Sequence, residues 1–256
     1  LNIYRIKWFF NKLLLKLIFF CFIYNGSALS KKWNITIEGY LSGFKVGESN
    51  VLFEINKDNY TLIAQSNTSG ITKLFYPWKQ IIEVSGSINN FIINPLVYKI
   101  KDTRENKETG FINIKYKNNF PIIESAFPHP KNDTRREHVS RKLLSNTYDP
   151  VNSILALGLL SANNNSCNHT IHVFDGRRRF NLEYKKIEQN KEELICKLKI
   201  IRIAGYSKKE LSKHPKEGTV ILKKLSNSRF YFPVEVRIPL TIGSFYVNLT
   251  QNLVLQ

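Results

Sequence analysis

Several stretches of the chain alternate apolar and polar residues with period two, the pattern of a strand with one buried and one wet face. Trp33, Ile35 and Ile37 alternate with Asn34, Thr36 and Glu38, and Ile112, Ile114 and Tyr116 with Asn113, Lys115 and Lys117. The clearest case sets Phe230, Phe232, Val234, Val236, Ile238 and Leu240 against Arg229, Tyr231, Pro233, Glu235, Arg237 and Pro239. Its two prolines fall on one face and cannot donate to a ladder, which makes this strand an edge or a bulged one. After a turn at Ile242-Gly243-Ser244, Phe245, Val247 and Leu249 resume the alternation, so the pattern predicts a C-terminal hairpin. Residues 44–55, 60–66, 80–87 and 220–225 complete the predicted strands. The fold class is mainly β, built on an antiparallel sheet.

Two places break the pattern. Ile71, Leu74 and Phe75 have helical spacing ahead of Pro77. Asp149 is a good N-cap and Pro150 suits the first helical turn. The helix that follows carries Val151, Ile154, Leu155, Ala156, Leu157, Leu159 and Leu160, apolar on nearly every side. At about eleven residues it rises only roughly 16 Å, too short to cross a bilayer. A helix apolar all round is buried all round, so it belongs against the concave face of a strongly curved sheet. Residues 127–136, with two prolines and mixed charges, read as a linker into a helical insertion near 137–160.

The first 30 residues read as an address. Arg5, Lys7, Lys12 and Lys16 supply positive charge without an acidic partner, and residues 13–23 are apolar apart from Lys16. Asn25-Gly26 and the small residues Ala28 and Ser30 follow. That is a secretory signal peptide, with cleavage after Ser30; the apolar run is shorter than the roughly 20 residues of a retained anchor. Cleavage leaves residues 31–256 as a single β-rich domain in the bacterial periplasm, with at most peripheral membrane contact.

Composition changes this picture little. The formal charge is +18, four of those positives lie in the first 30 residues, and the remainder carries +14. Abundant Lys, Asn and Ile explain much of that as composition, and the basic residues are spread rather than gathered in a stripe. The alternative is attraction to an anionic partner such as a lipid headgroup. Nucleic acid is excluded by compartment and by the absence of a recognition motif with interleaved aromatics.

The most specific local pattern is Ile171-His172-Val173-Phe174-Asp175-Gly176-Arg177-Arg178-Arg179-Phe180. Asp-Gly between alternating runs predicts a two-residue hairpin turn. That register pairs Val173 with Arg178 and Ile171 with Phe180, and puts Arg178 on the apolar face near the tip, with Arg177 and Arg179 on the other. The cluster is either a solvated tip whose guanidinium groups are held by nearby carboxylates, or an anion clamp at the mouth of an apolar cavity. In the second case Arg177, Arg178, Arg179, Val173 and Phe180 are the candidate ligand-binding residues.

Cys167 and Cys196 are the two cysteines outside the signal, and in an oxidising compartment they pair as a disulfide. The flat register places both opposite Tyr184 from either side, roughly 9.5 Å apart. A bridge therefore requires residues 163–165 to fold over Tyr184. A zinc site from Cys167, His169, His172 and Cys196 is the alternative, but His172 points away from the face His169 shares with Cys167.

The run Val173-Phe174-Asp175-Gly176-Arg177-Arg178-Arg179-Phe180 between Cys167 and Cys196 resembles a family of exported proteobacterial proteins classed as domain of unknown function 3108. Ile203-Ala204-Gly205-Tyr206, the Asp149-Pro150 helix start and the Pro233 to Phe245 region resemble it too. The resemblance implies a periplasmic location. It also implies an incomplete β-barrel similar to the lipoprotein carriers LolA and LolB, with short helices against the concave face. It implies no activity. A non-enzymatic binder or carrier of a lipid or other amphipathic ligand is the first expectation. An envelope scaffold contacting proteins or peptidoglycan is the second. A hydrolase ranks behind both, because Gly-x-Ser-x-Gly and His-Glu-x-x-His are absent and no carboxylate pair stands out. No cofactor or metal is implied.

Overall fold

The computed structural model describes residues 30–213, 217–224, 228, 230–240 and 243–255. The expected export signal, Ser30 apart, lies outside them, as do Leu225, Arg229 and Ile242. Seven strands succeed one another as neighbours: β1 (Lys31–Leu41), β2 (Phe44–Asn56), β3 (Asn59–Thr68), β4 (Trp78–Asn89), β5 (Ile92–Arg104), β6 (Lys107–Lys117) and β7 (Phe120–Phe127). The turns Ser42-Gly43, Asn90-Phe91, Glu105-Asn106 and Asn118-Asn119 have positive φ at both residues, the tight form whose twist matches that of the flanking strands. A second run follows from the far side: β8 (His169–Phe174), β9 (Arg179–Gln189), β10 (Glu193–Ala204), β11 (Glu217–Lys224), β12 (Tyr231–Pro239) and β13 (Ser244–Leu255). β13 pairs with β1, making one antiparallel sheet of 13 strands with β7 and β8 as its open edges.

The patterning leaves β5 and β7 unpredicted. Pro95 and the adjacent Ile92-Ile93 obscure the period in β5, and Pro95 sits opposite Gly86 where the β4–β5 register shifts. Pro121 and the Ile122-Ile123 pair do the same in β7, an edge strand with a register shift against β6, where proline is tolerated. β12 is not an edge, since it pairs with both β11 and β13; its proline is accommodated by the bulge where Leu222 meets Pro233. The predicted C-terminal hairpin forms, Ile238 opposite Phe245.

Among the described residues three α-helices complete the fold, α1 (Thr72–Phe75), α2 (Pro150–Asn164) and α3 (Lys208–Lys213), with short 3-10 turns at Pro130–Asn132 and Arg141–Leu143. α2 starts as its sequence predicts, with the Asp149 carboxylate accepting from the Val151 and Asn152 N–H groups. It runs on past Leu160 to an Asn165 C-cap in the left-handed conformation. α2 packs on β5, β8 and β12. These strands lie far apart in the sheet order, so the sheet wraps around the helix. Gly158 lets that wrapping close: a Cβ there would run into the Tyr231 carbonyl of β12. Leu155, Ala156, Leu157 and Leu159 join one core with Trp33, Phe53, Tyr60, Ile114 and Leu222. Bulges in several strand pairs add the local twist that curvature requires. Lys31–Gln256 form one compact unit holding this entire core.

Candidate functional site

The Arg-rich hairpin differs from its predicted register by two residues. Phe174 faces Arg179 and Val173 faces Phe180, so the connection is four residues, 175–178. The cause is the Asp175 side chain, whose Oδ1 accepts from the N–H groups of Arg177 (2.9 Å) and Arg178 (2.7 Å). A local side-chain turn of this kind competes with the two-residue form. A shift of two preserves faces: Ile171, Val173, Phe180, Leu182 and Tyr184 still line the core side.

Arg178, however, leaves the apolar face. Its guanidinium lies 2.7 Å from Asp175, 3.7 Å from Glu210 and over the Tyr206 ring. Arg177 donates to the Pro128 carbonyl at 2.6 Å. Arg179 is buried, donating to the Leu143 carbonyl at 3.0 Å and to Phe180 and Asn181. Gly205, at φ 82°, abuts the Arg177 carbonyl and Arg178, which accounts for the Ile203-Ala204-Gly205-Tyr206 stretch. Arg136 links Glu210 at 3.2 Å to Asp133 at 2.9 Å. Burial raises the Glu210 carboxyl, but the Ser207 N–H and hydroxyl, with Arg136 and Arg178, outweigh it and hold the group below its ordinary value. The Arg135 side chain holds Asp133 well below the carboxylate range. Burial pushes the Tyr206 hydroxyl up to about 12. Arg177 and Arg179 thus clasp the crossover segment 128–149 onto the β8–β9 hairpin, Arg178 joins the hairpin to Glu210, and Val173 and Phe180 pack with the core. Tyr148 extends the clasp by pairing with His172 and Phe174 along the β8 edge.

Cys167 and Cys196 form a disulfide, Cα–Cα 6.4 Å. The chain escapes the flat register just ahead of β8: the His169 N–H bonds the Cys167 carbonyl at 2.8 Å, and the Asn168 side chain takes the Lys186 N–H in place of backbone. The expected placement of both cysteines opposite Tyr184 is corrected: His169 and Leu198 face Tyr184, Cys196 faces Lys186, and residues 163–164 end α2 instead of folding over Tyr184. The bridge removes the zinc alternative, and among the described residues no three metal-ligating side chains gather.

A second site went unread in the sequence. Where β2–β3 and β4–β5 turn, a cavity of about 430 Å³ opens between the sheet and α2. Its apolar wall is Trp33, Ile55, Ile88, Phe91, Leu159 and Phe230, and Lys31, Lys57 and Asp58 stand at its mouth. Trp33 is fully buried and stacks on Phe53, which in turn meets Phe230 edge-on. Phe91 lines this cavity from a backbone φ of 63°, a region bulky residues avoid. A phenylalanine directly after Asn89-Asn90, where a tight turn favours glycine, is the signal that could have found the site.

The class is that of an open antiparallel barrel wrapped on a buried helix, with a cavity of mixed apolar and polar lining at one end. The chain belongs to the family described as protein of unknown function (DUF3108), whose model matches residues 32–250. Among solved structures it is similar to a β-barrel-like protein of domain of unknown function DUF1849 from Brucella abortus. The two share 8% identity and a TM-score of 0.53 over 90% of this chain and 100% of that one. It also matches the hypothetical protein CT021 from Chlamydia trachomatis at 10% identity and a TM-score of 0.27, over 86% of this chain and 84% of that one. No functionally curated protein matches.

Proposed function

We propose that this protein binds and carries an anionic amphipathic molecule, lipid-like in having an apolar body and one charged head, in the bacterial periplasm. The observation that carries the reading is Phe91, held at φ 63° against the apolar wall of a cavity whose rim bears Lys31 and Lys57 with Asp58 beside them. Backbone strain at a bulky residue persists only where surrounding structure or function compensates it. A cavity of about 430 Å³ falls within the range of small-molecule sites, with lysines placed for a headgroup. Export is supported by the charged and apolar pattern of the first 30 residues and by a disulfide, which persists in oxidising compartments.

The test is binding of a fluorescent acyl carboxylate, with Trp33 emission as internal reporter. Binding should fall at least roughly tenfold when Lys31→Glu and Lys57→Glu are combined, the scale of one or two lost charge-assisted contacts. Equal binding by wild type and variant, or no binding by either, overturns the reading. N-terminal sequencing of protein from the cell envelope should begin at Lys31.

A scaffold role is supported by one feature, the open edge of β7, which pairs only with β6 among the described residues. If it recruits a partner strand, Ser125→Pro should abolish capture of that partner while leaving acyl binding intact.

A further inference from the structure

We propose a second, separate site: a membrane-docking tip at the opposite rim of the sheet, which inserts into the surface of an anionic phospholipid bilayer. It does not depend on the cavity reading. The tip is made of the β1–β2 turn and the β3–β4 connection that carries α1. Phe44, Ile71, Leu74 and Phe75 are 72%, 63%, 79% and 78% exposed, and Leu41 is 43% exposed. None of them belongs to the core. The two loops adjoin, since the Ser69 N–H bonds the Val46 carbonyl at 3.1 Å and Gly70 lies against the Lys45 carbonyl.

The tip is built rather than slack. Thr68 Oγ1 donates to the Tyr76 carbonyl at 2.9 Å and accepts from the Trp78 N–H at 3.1 Å, closing the base of the connection. Insertion therefore requires little new ordering. Side chains exposed by nearly four-fifths stand on convex protrusions. A rigid protein partner would have to present a matching pit to cover them, whereas a fluid acyl phase closes around any shape. The residues behind the tip follow the order of a bilayer interface. After Leu74 and Phe75 come Tyr76 and Trp78, amphipathic rings of the kind that settle at headgroup level. Arg104 lies over the Tyr76 ring at 4.2 Å and pairs with Glu105 at 3.8 Å, and Trp78 Nε1 donates to Asp102 at 3.1 Å; Lys73 and Lys79, exposed beside them, are placed for anionic headgroups. β2 runs from Phe44 at the tip to Ile55 at the cavity. A docked molecule thus holds its cavity roughly 40 Å from the bilayer at ordinary strand rise.

The test uses the Lys31–Gln256 unit, which carries the whole core, with vesicles of equal parts phosphatidylcholine and phosphatidylglycerol. Wild type should co-sediment, and Phe44→Asp with Leu74→Asp should lower partitioning at least roughly tenfold, less than the full burial of two such side chains implies. The thermal melt should stay unchanged, because neither side chain packs in the core. A Phe75→Trp reporter should shift to the blue on binding and be quenched by brominated lipid. Failure of wild type to co-sediment, equal partitioning of the double variant, or an unshifted reporter overturns the proposal. Loss of a protein partner by the double variant without vesicle binding by wild type also overturns it. Acyl-probe binding without vesicles reads the cavity alone, so the two sites stand or fall separately.

Discussion

Phenylalanine at position 91 sits left-handed in a two-residue turn, where glycine would cost less. A single non-glycine residue in that region carries about 1–2 kcal/mol of strain. Phe91→Gly releases it and gives up the packing of a half-buried ring, so stability should change by no more than about 1 kcal/mol, the two terms being of similar size. Acyl-probe binding should nonetheless fall, and a chemical denaturation curve beside a binding titration separates the effects. Asp149 is a residue-scale prediction of another kind. It is fully buried, and it accepts from Tyr116 Oη at 3.2 Å and Asn152 Nδ2 at 2.5 Å besides capping α2. Burial outweighs these donors and raises its pKa to about 6. A folded pKa above the ordinary 3.8 makes the neutral form the favoured one. Its contribution to stability is therefore full below about pH 4 and is lost as pH rises through about 6, by at most about 3 kcal/mol. Carboxyl carbon chemical shifts should show a midpoint near 6; a midpoint near 4 would mean that its donors outweigh burial.

Among the elements, α2 and the β8–β9 hairpin place everything else. α2 touches β12 backbone to backbone at Gly158, so Gly158→Ala should cost about 1–3 kcal/mol by overpacking. Thermal melting checks it, and an unchanged midpoint would show that the helix has room to shift. The hairpin is held by Arg178 bridging Asp175 and Glu210. Arg178→Ala leaves both carboxylates without that partner. The side chain is 31% exposed, so the loss should be about 1–2 kcal/mol, the lower part of the range for hydrogen bonds to charged groups. Acyl binding at the distant cavity should not change. Asp-Gly marked a hairpin correctly, but the turn length was decided by the Asp175 side chain bonding its own backbone. β5 and β7 were hidden because proline and doubled isoleucines break a period that bulges restore in three dimensions.

At the scale of the whole molecule, the sheet is one antiparallel surface whose edges, β7 and β8, are never joined. The Cys167–Cys196 bridge, with a sequence separation of 29, ties the end of α2 to β10. It should stabilise the unit by about 3–4 kcal/mol on the chain-entropy model. Denaturation with and without reductant measures this, and overlapping curves would refute it. What depends on near neighbours can be read from the residues alone. Alternation gave the strands around Trp33, Ile112 and Val236; Asp149-Pro150 gave the start of α2, and its unbroken apolar surface gave its burial; two remaining cysteines gave the disulfide. Period, capping and pairing are local or arithmetical, so one chain suffices to read them. Tertiary structure alone decided which charges meet and which surfaces stay open. Arg178 meets Glu210, 32 residues away, and Trp33 of β1, Phe91 of the β4–β5 turn, Leu159 of α2 and Phe230 ahead of β12 converge on one cavity. No spacing rule brings such residues together. They meet because the sheet bends around a helix, and the bend is the sum of many bulges and one close approach at Gly158.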